Sequence, residues 1–231
     1  MRRNVYLQGE KVPRDDERMQ AVIDTTGMTF DIAEKPEHAD LMTATSHLTG
    51  EKINRFCHIH QNKIDLHKKQ EMTRFLCQQV GGCIQRCMGI DAANAVSCVA
   101  FEADKFNKGT TEYYNNFLKW LRRFQEENLV GCCAQTDVKG NRTQRPGQQK
   151  DPDVYVHVVE KKSDGIVVRG CKTHITIAPQ ADEVLVIPTR ALQPDEKDWA
   201  VAFAIPGDWE GVKMVVRATG IRPRKKFKKG F

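Results

Sequence analysis

The chain is 231 residues long, 40% hydrophobic and 29% charged, which is the make-up of a globular protein with one large domain or two small ones. No run approaches the roughly 18–20 apolar residues of a membrane helix, and the opening MRRNVYLQGEKVPRDDER lacks the apolar centre of a secretion signal. A cytoplasmic protein with no membrane partner is therefore expected. Lys and Arg outnumber Asp and Glu by 36 to 30, but Arg222, Arg224, Lys225, Lys226, Lys228 and Lys229 carry all of that excess. A neutral body with one basic tail is a poor footprint for nucleic acid, so no nucleic-acid partner is expected.

Helical periodicity dominates the first 130 residues. DERMQAVIDTTGMTFDIAEKP reads as an early helix ended by Pro36. In HQNKIDLHKKQEMTRFLCQQV, Met72, Leu76 and Val80 recur every fourth residue until Gly81–Gly82 interrupts. The Ala-rich CIQRCMGIDAANAVSCVAFEADKF reads as a second long helix. TEYYNNFLKWLRRFQEEN puts Tyr114, Phe117, Leu118, Leu121 and Phe124 on one stripe.

After residue 130 the period shortens. DVYVHVVEKK, GIVVRGCKTHITIAP, EVLVIPT, WAVAFAIP and GVKMVVRATG are β-branched runs separated by turn residues such as Ser163-Asp164-Gly165 and Pro206-Gly207-Asp208. The expected organisation is an α+β chain with a helical domain at residues 1–130, an antiparallel β domain at 131–220 and a basic tail at 221–231.

Four constellations carry candidate chemistry. Cys83 and Cys87 lie four residues apart, one helical turn on one face that Ile90, Asn94 and Cys98 continue. They read either as two corners of an iron–sulfur site or as packed structural thiols. Cys57-His58-Ile59-His60, with His67 beyond, holds metal-ligand types, yet the polar neighbours read as a solvated helix start with surface histidines. The loop Gln135-Thr136-Asp137-Val138-Lys139-Gly140-Asn141-Arg142 leaves a strand and offers donors to a pyrophosphate or a planar ring. It is neither a Walker loop nor a Rossmann fingerprint, and taken by itself it reads first as a plain polar connection with Arg142 in solvent. Finally, Lys172-Thr173-His174-Ile175-Thr176-Ile177 reads as part of a strand, with His174 and Thr176 on one face toward a cofactor or toward water.

The segments DLMTATSHLTGEKINRF, CIQRCMGIDAANAV, QTDVKGNR, QKDPD and GIVVRGCKTH, in this order, resemble the N-terminal half of the 4-hydroxybutyryl-CoA dehydratases (vinylacetyl-CoA isomerases). The wider flavoprotein family includes the 4-hydroxyphenylacetate 3-monooxygenases. The resemblance implies an acyl-CoA-dehydrogenase-like fold: N-terminal helices, an antiparallel β-barrel and a C-terminal helical bundle that this chain lacks. It further implies FAD bound by the stretches matched by Gln135 to Arg142 and by His174, Ile175, Thr176 and Ile177. A [4Fe-4S] cluster is implied, its first two of four ligands matched by Cys83 and Cys87, with Gln85 on the substrate side.

The implied reaction is a radical dehydration of an acyl-CoA, in which flavin takes one electron and iron takes the leaving hydroxyl. The family's other two ligands lie beyond the stretch matched here, so the chain alone is expected to be inactive. Its implied partners are further copies of itself in a homo-oligomer, or a chain bearing the missing half. An aromatic monooxygenase and a non-catalytic flavin-binding domain are the alternatives; the Cys83/Cys87 pair argues against the monooxygenase.

Overall fold

The computed structural model describes residues 4–82 and 86–217. The chain begins with a hairpin, β1 (Val5–Leu7) and β2 (Glu10–Val12), whose turn residues Gln8 and Gly9 both take positive φ, the backbone sense that suits a tight hairpin. Helix α1 (Gln20–Asp31) follows. Pro36 does not end this helix. It starts a 3-10 turn at Pro36–His38 instead, where its fixed φ and missing N–H cost nothing.

A short helix α2 (Ala39–Met42) leads into a second hairpin, β3 (Thr43–Thr45) and β4 (Lys52–Asn54). Helix α3 (Lys63–Val80) starts where the Asn62 side chain accepts the amides of Ile64 and Asp65 at 2.8 and 3.2 Å. It stops at Gly81, which takes the left-handed conformation that residues with a Cβ avoid. Helices α4 (Cys87–Phe106) and α5 (Tyr113–Glu126) complete the helical part.

The apolar stripe on α5 faces inward as its spacing requires. Phe117, Leu121 and Phe124 pack on Ile90, Ala93, Val96 and Ala100 of α4, with Leu185 beneath. A second cluster joins Ile32, Met42, Phe56, Met72, Leu76 and Cys87. The alanines let α4 sit low on the sheet, and one contact fixes it there: a Cβ on Gly89 would drive into the backbone carbonyl of Gly131.

Gly131 opens β5 (Gly131–Ala134). The hairpin β6 (His157–Lys162) and β7 (Gly165–Arg169) follows, then β8 (Glu183–Val186), β9 (Phe203–Pro206) and β10 (Met214–Val216). β8 lies between β5, to which it is parallel, and β9, to which it is antiparallel. β10 runs parallel to β1, so one sheet joins both ends of the described chain.

The architecture is thus mixed helix and sheet, with the expected closed antiparallel barrel not formed among the described residues. Their strands make four sheets of two or three strands. The run read as a single strand from Gly165 to Pro179 breaks at Gly170, which lies against the backbone of Tyr155 and Val156 with φ +143°. Beyond that crossing the chain cannot continue the ladder of β7. Buried Glu183, on β8, accepts from Trp120 Nε1 at 3.0 Å and from Arg123, and so ties α5 to the sheet. No helix among the described residues is long and apolar enough to cross a membrane.

Candidate functional site

Strand β5 releases the chain at Ala134 into Gln135, Thr136 and Asp137, and the second candidate stretch runs alongside. Thr173 donates its amide to the Thr136 carbonyl at 2.8 Å, and Asp137 bridges to Lys172 in antiparallel sense. The two stretches that are 37 residues apart in sequence are therefore neighbours, held by one side chain.

Lys172 Nζ donates to the Gln135 carbonyl and the Ile187 carbonyl, each at 2.9 Å, and pairs with Asp137 Oδ1 at 2.7 Å. Both charged side chains are buried, at 9% and 4% exposure. Burial pulls the Lys172 ammonium below its ordinary range, opposed by the Asp137 carboxylate that holds its proton in place. Asp137 also accepts the Val156 amide at 3.3 Å. Cys133, half-buried on β5, lies within electrostatic reach of Lys172; burial pushes its thiol up.

The outer part of the loop is equally braced. Lys139 and Gly140 take successive positive φ values of 74° and 49°. The Gln149 side chain fills the bend, accepting the Asn141 amide at 3.0 Å and donating to the Asn141 carbonyl at 2.8 Å. A Cβ on Gly140 would collide with that same side chain. Asn141 Oδ1 in turn holds the Thr143 amide at 3.1 Å. Meanwhile the Thr136 hydroxyl, the Lys139 ammonium and the exposed Arg142 guanidinium engage no partner among the described residues. This is a rigid loop with donors left over, chemistry that fits a phosphate or a planar, acceptor-rich ring.

His174, Ile175, Thr176 and Ile177 do not form the strand expected of them. His174 and Ile177 have φ of +59° and +60°, and the segment closes as a turn in which the Gln180 and Ala181 amides both bond the Ile177 carbonyl at 2.9 Å. Pro179 stops any β ladder there. Ile177 is buried with Val130, Cys132 and Ala181, while His174 and Thr176 are exposed. They face outward from a turn, not across a strand face.

Cys83 and Gln85 lie outside the described residues. Cys87 opens α4 and is buried against the cluster around Phe56 and Met72. Two residues on, Gly89 rests on Gly131, so this helix start sits over the strand that feeds the loop. Among the described residues no three His, Cys, Asp or Glu side chains gather closely enough to hold a metal ion.

Arg86, immediately before Cys87, is a feature sequence reasoning missed. It is 1% exposed, with its guanidinium 4.1 Å from the ring centre of Phe30 and 4.9 Å from that of Phe56. It donates to Thr29 Oγ1 at 2.7 Å and more weakly to Asn128 Oδ1 at 3.4 Å, leaving Nε without a partner. Burial pulls it down to about 10, and it remains a cation at neutral pH. Nothing in its sequence surroundings marks it as buried.

The expectation of surface histidines is corrected as well. His58 is buried, its Nε2 3.1 Å from Asp65 Oδ2, and Cys57 is fully enclosed, its thiol pushed up to about 11 by burial. The His60 amide is held by Asn94 Oδ1 at 3.0 Å. Of the three histidines His67 alone is exposed. The first turn of α3, with Asp65 reaching back to His58, makes this segment part of the core.

Two sets of solved structures share this arrangement. The oxygen-tolerant archaeal 4-hydroxybutyryl-CoA dehydratase from N. maritimus superposes with a TM-score of 0.86 at 39% identity, over 92% of this chain and 42% of that one. The oxygenase component of 4-hydroxyphenylacetate 3-monooxygenase, complexed with FAD, gives 0.71 at 29% identity, over 89% and 42%. The fold is thus that of the N-terminal part of dehydratases and oxygenases of this kind.

The family model described as 4-hydroxyphenylacetate 3-hydroxylase N terminal matches residues 1–230, and the chain belongs to that family. It is 43% identical over 223 residues to the 4-hydroxybutyryl-CoA dehydratase/vinylacetyl-CoA-Delta-isomerase of Clostridium aminobutyricum, covering 96% of this chain and 45% of that protein. To the 4-hydroxyphenylacetate 3-monooxygenase oxygenase component of Thermus thermophilus it is 30% identical over 217 residues, covering 93% and 43%. The chain spans a little under half the length of the curated relatives it matches.

Proposed function

We propose that this chain is the flavin-binding N-terminal part of an enzyme that dehydrates or isomerises an acyl-CoA of the 4-hydroxybutyryl class. The observation that carries this reading is the 43% identity to a dehydratase/isomerase along nearly the whole chain, against 30% to an oxygenase. FAD is the cofactor assigned to the loop Gln135–Arg142 and to the turn His174–Ile177, and the residues present fit it. The donors of Thr136, Lys139 and Arg142, without a partner among the described residues, lie on a loop braced by Gln149.

In this reading Thr136, Lys139 and Arg142 bind and orient the flavin, and the backbone from Val138 to Asn141 shapes the cradle. His174 and Thr176 approach from the neighbouring turn. Bound flavin supplies one-electron chemistry, which a dehydration that must remove a weakly acidic β-hydrogen requires. Gln85 is assigned to the substrate side.

Cys83 and Cys87 are assigned as two thiolate donors to a [4Fe-4S] cluster. Such a cluster takes four ligands, so the donors in this reading do not complete it. The acyl-CoA-dehydrogenase-like layout, a cytoplasmic location and assembly with further copies or with a chain carrying the rest of the catalytic surface belong to the same proposal.

An aromatic monooxygenase is the second reading, favoured by the FAD-complexed oxygenase of similar fold. The cysteine pair separates the two, because hydroxylation by flavin needs no thiolate donors. The assignment of the flavin loop is tested by titrating FAD into Arg142→Ala combined with Thr176→Val. Binding weaker by roughly tenfold or more is expected for the loss of a charge-assisted and a neutral hydrogen bond. Wild-type affinity in the double variant contradicts it.

A further inference from the structure

Lys172 belongs to neither stretch assigned to the flavin, yet it touches the structure that supports both. Its ammonium spends its three protons on the Gln135 carbonyl, the Ile187 carbonyl and the Asp137 carboxylate. Those groups lie respectively at the exit of β5, just past the end of β8 and inside the loop. An ammonium has three donors and no more, so Lys172 is saturated by the protein and has none to offer a ligand.

The geometry points to Lys172 as a positioning residue, whose buried contact with Asp137, Gln135 and Ile187 sets the relative placement of the two stretches that bind flavin. This inference rests on the flavin reading above. The two parallel strands β5 and β8 both end at this ammonium. Parallel neighbours share no hairpin turn, so nothing covalent sets how their exits diverge. One charged side chain, nearly excluded from water, is bonded to both exits, beside a single backbone bond from the Ile187 amide to the Ala134 carbonyl at 3.3 Å. Thr173, the next residue, adds its amide to the Thr136 carbonyl at 2.8 Å, so any movement of Lys172 is passed to the cradle and to His174 at once. Val156, whose amide Asp137 accepts, fixes the same assembly from the far side.

The role predicts a pattern that simple loss of packing does not give. Lys172→Met keeps the length and the apolar stem but removes all three donors and leaves Asp137 buried without its cation. Lys172→Arg keeps charge and donors. In the full 231-residue chain, titration with FAD is followed by protein fluorescence and by the visible circular dichroism of bound flavin. Hydrogen–deuterium exchange of residues 135–142 and 172–177 is recorded on the same samples.

Lys172→Met is expected to weaken FAD binding by roughly tenfold to hundredfold, to change the flavin dichroism and to raise exchange in both segments together. Lys172→Arg is expected to restore most of the affinity and the spectrum. If wild type and Lys172→Met bind FAD with equal affinity and identical dichroism, the inference is overturned while the flavin reading stands. A folded wild-type chain that leaves FAD unbound overturns the flavin reading, and the inference with it. Exchange that rises in one segment only, with the other as protected as in wild type, also contradicts a shared anchor.

Discussion

Arg86 carries a positive charge into the core with no carboxylate at ion-pair distance among the described residues, held by two aromatic rings and two hydrogen bonds. Desolvating a guanidinium and leaving Nε unpaired is costly. An apolar side chain of similar reach is therefore expected to be tolerated: Arg86→Met leaves the urea midpoint unchanged or raises stability by about 1 kcal/mol, whereas Arg86→Ala loses about 3 kcal/mol to the cavity. Strong destabilisation by methionine shows instead that the charge is matched by an anion.

Glu196 offers a pH test. Its hydrogen bonds with Arg145 come first among the causes that hold the carboxyl below its ordinary 4.5, and the pair clamps the 3-10 turn Pro194–Trp199 to the segment after the loop Gln135–Arg142. A lowered folded value means stability that is fully present above the unfolded value and disappears as pH falls through the folded one. Urea titrations across about pH 3 to 7 should show this acid-side loss in wild type and not in Glu196→Gln; identical pH dependence in the two contradicts the pairing.

At this scale the sequence announced the loop but not its support. QTDVKGNR displays donors, whereas the partners that free or occupy them, Gln149 and Lys172, come from other elements and become visible only in the fold.

Among the elements, the long helices and the β-branched runs that hold β6 to β10 were legible, while the shortest strands and all pairing directions were not. α3, α4 and α5 declare themselves through four-residue spacing and through Asn62 and Gly81 at their ends, a local signal. Strands of three residues such as β1 and β3 have too few side chains to show a period. The apparent long strand through His174 misled because β-branched residues signal a strand locally, whereas here the crossing at Gly170 and Pro179 break the ladder and the chain turns at His174 and Ile177 against that preference. The parallel pairing of β5 and β8 follows from a 48-residue excursion between the end of β5 at Ala134 and the start of β8 at Glu183 closing in space, which no local pattern encodes.

The contact of Gly89 with Gly131 is the element-scale fact most exposed to test. Alanine ordinarily favours a helix over glycine by about 1 kcal/mol. Here the methyl meets a carbonyl of β5 that packing holds in place, and Gly89→Ala is expected to cost about 2–3 kcal/mol net. A gain in stability, read from denaturant midpoints, contradicts the close approach of α4 to the sheet.

Over the whole molecule, one helical layer lies against small sheets. The start of α4 carries Cys87, and β5 beneath it continues into the loop from Gln135 to Arg142 that is proposed to bind flavin. Glu183 secures that stacking through Trp120 and Arg123. Glu183→Ala, which leaves the indole N–H without its acceptor, is expected to cost about 3 kcal/mol in a denaturant titration; a change below about 0.5 kcal/mol contradicts its role as a tie. Family membership was readable from five motifs in order, and the mixed architecture from the change of hydrophobic period near residue 130. The open, partly parallel sheets were not, since register and direction arise from packing.

The most direct measurement is the cofactor content of the folded chain. The protein is purified without oxygen, supplied with FAD, and assayed for flavin, iron and acid-labile sulfide per polypeptide. A flavin-binding chain that holds two cluster donors retains stoichiometric FAD with iron far below the about four atoms of a complete cluster. A folded chain that retains no FAD contradicts the central claim, and a full iron complement contradicts the assignment of Cys83 and Cys87 as an incomplete ligand set.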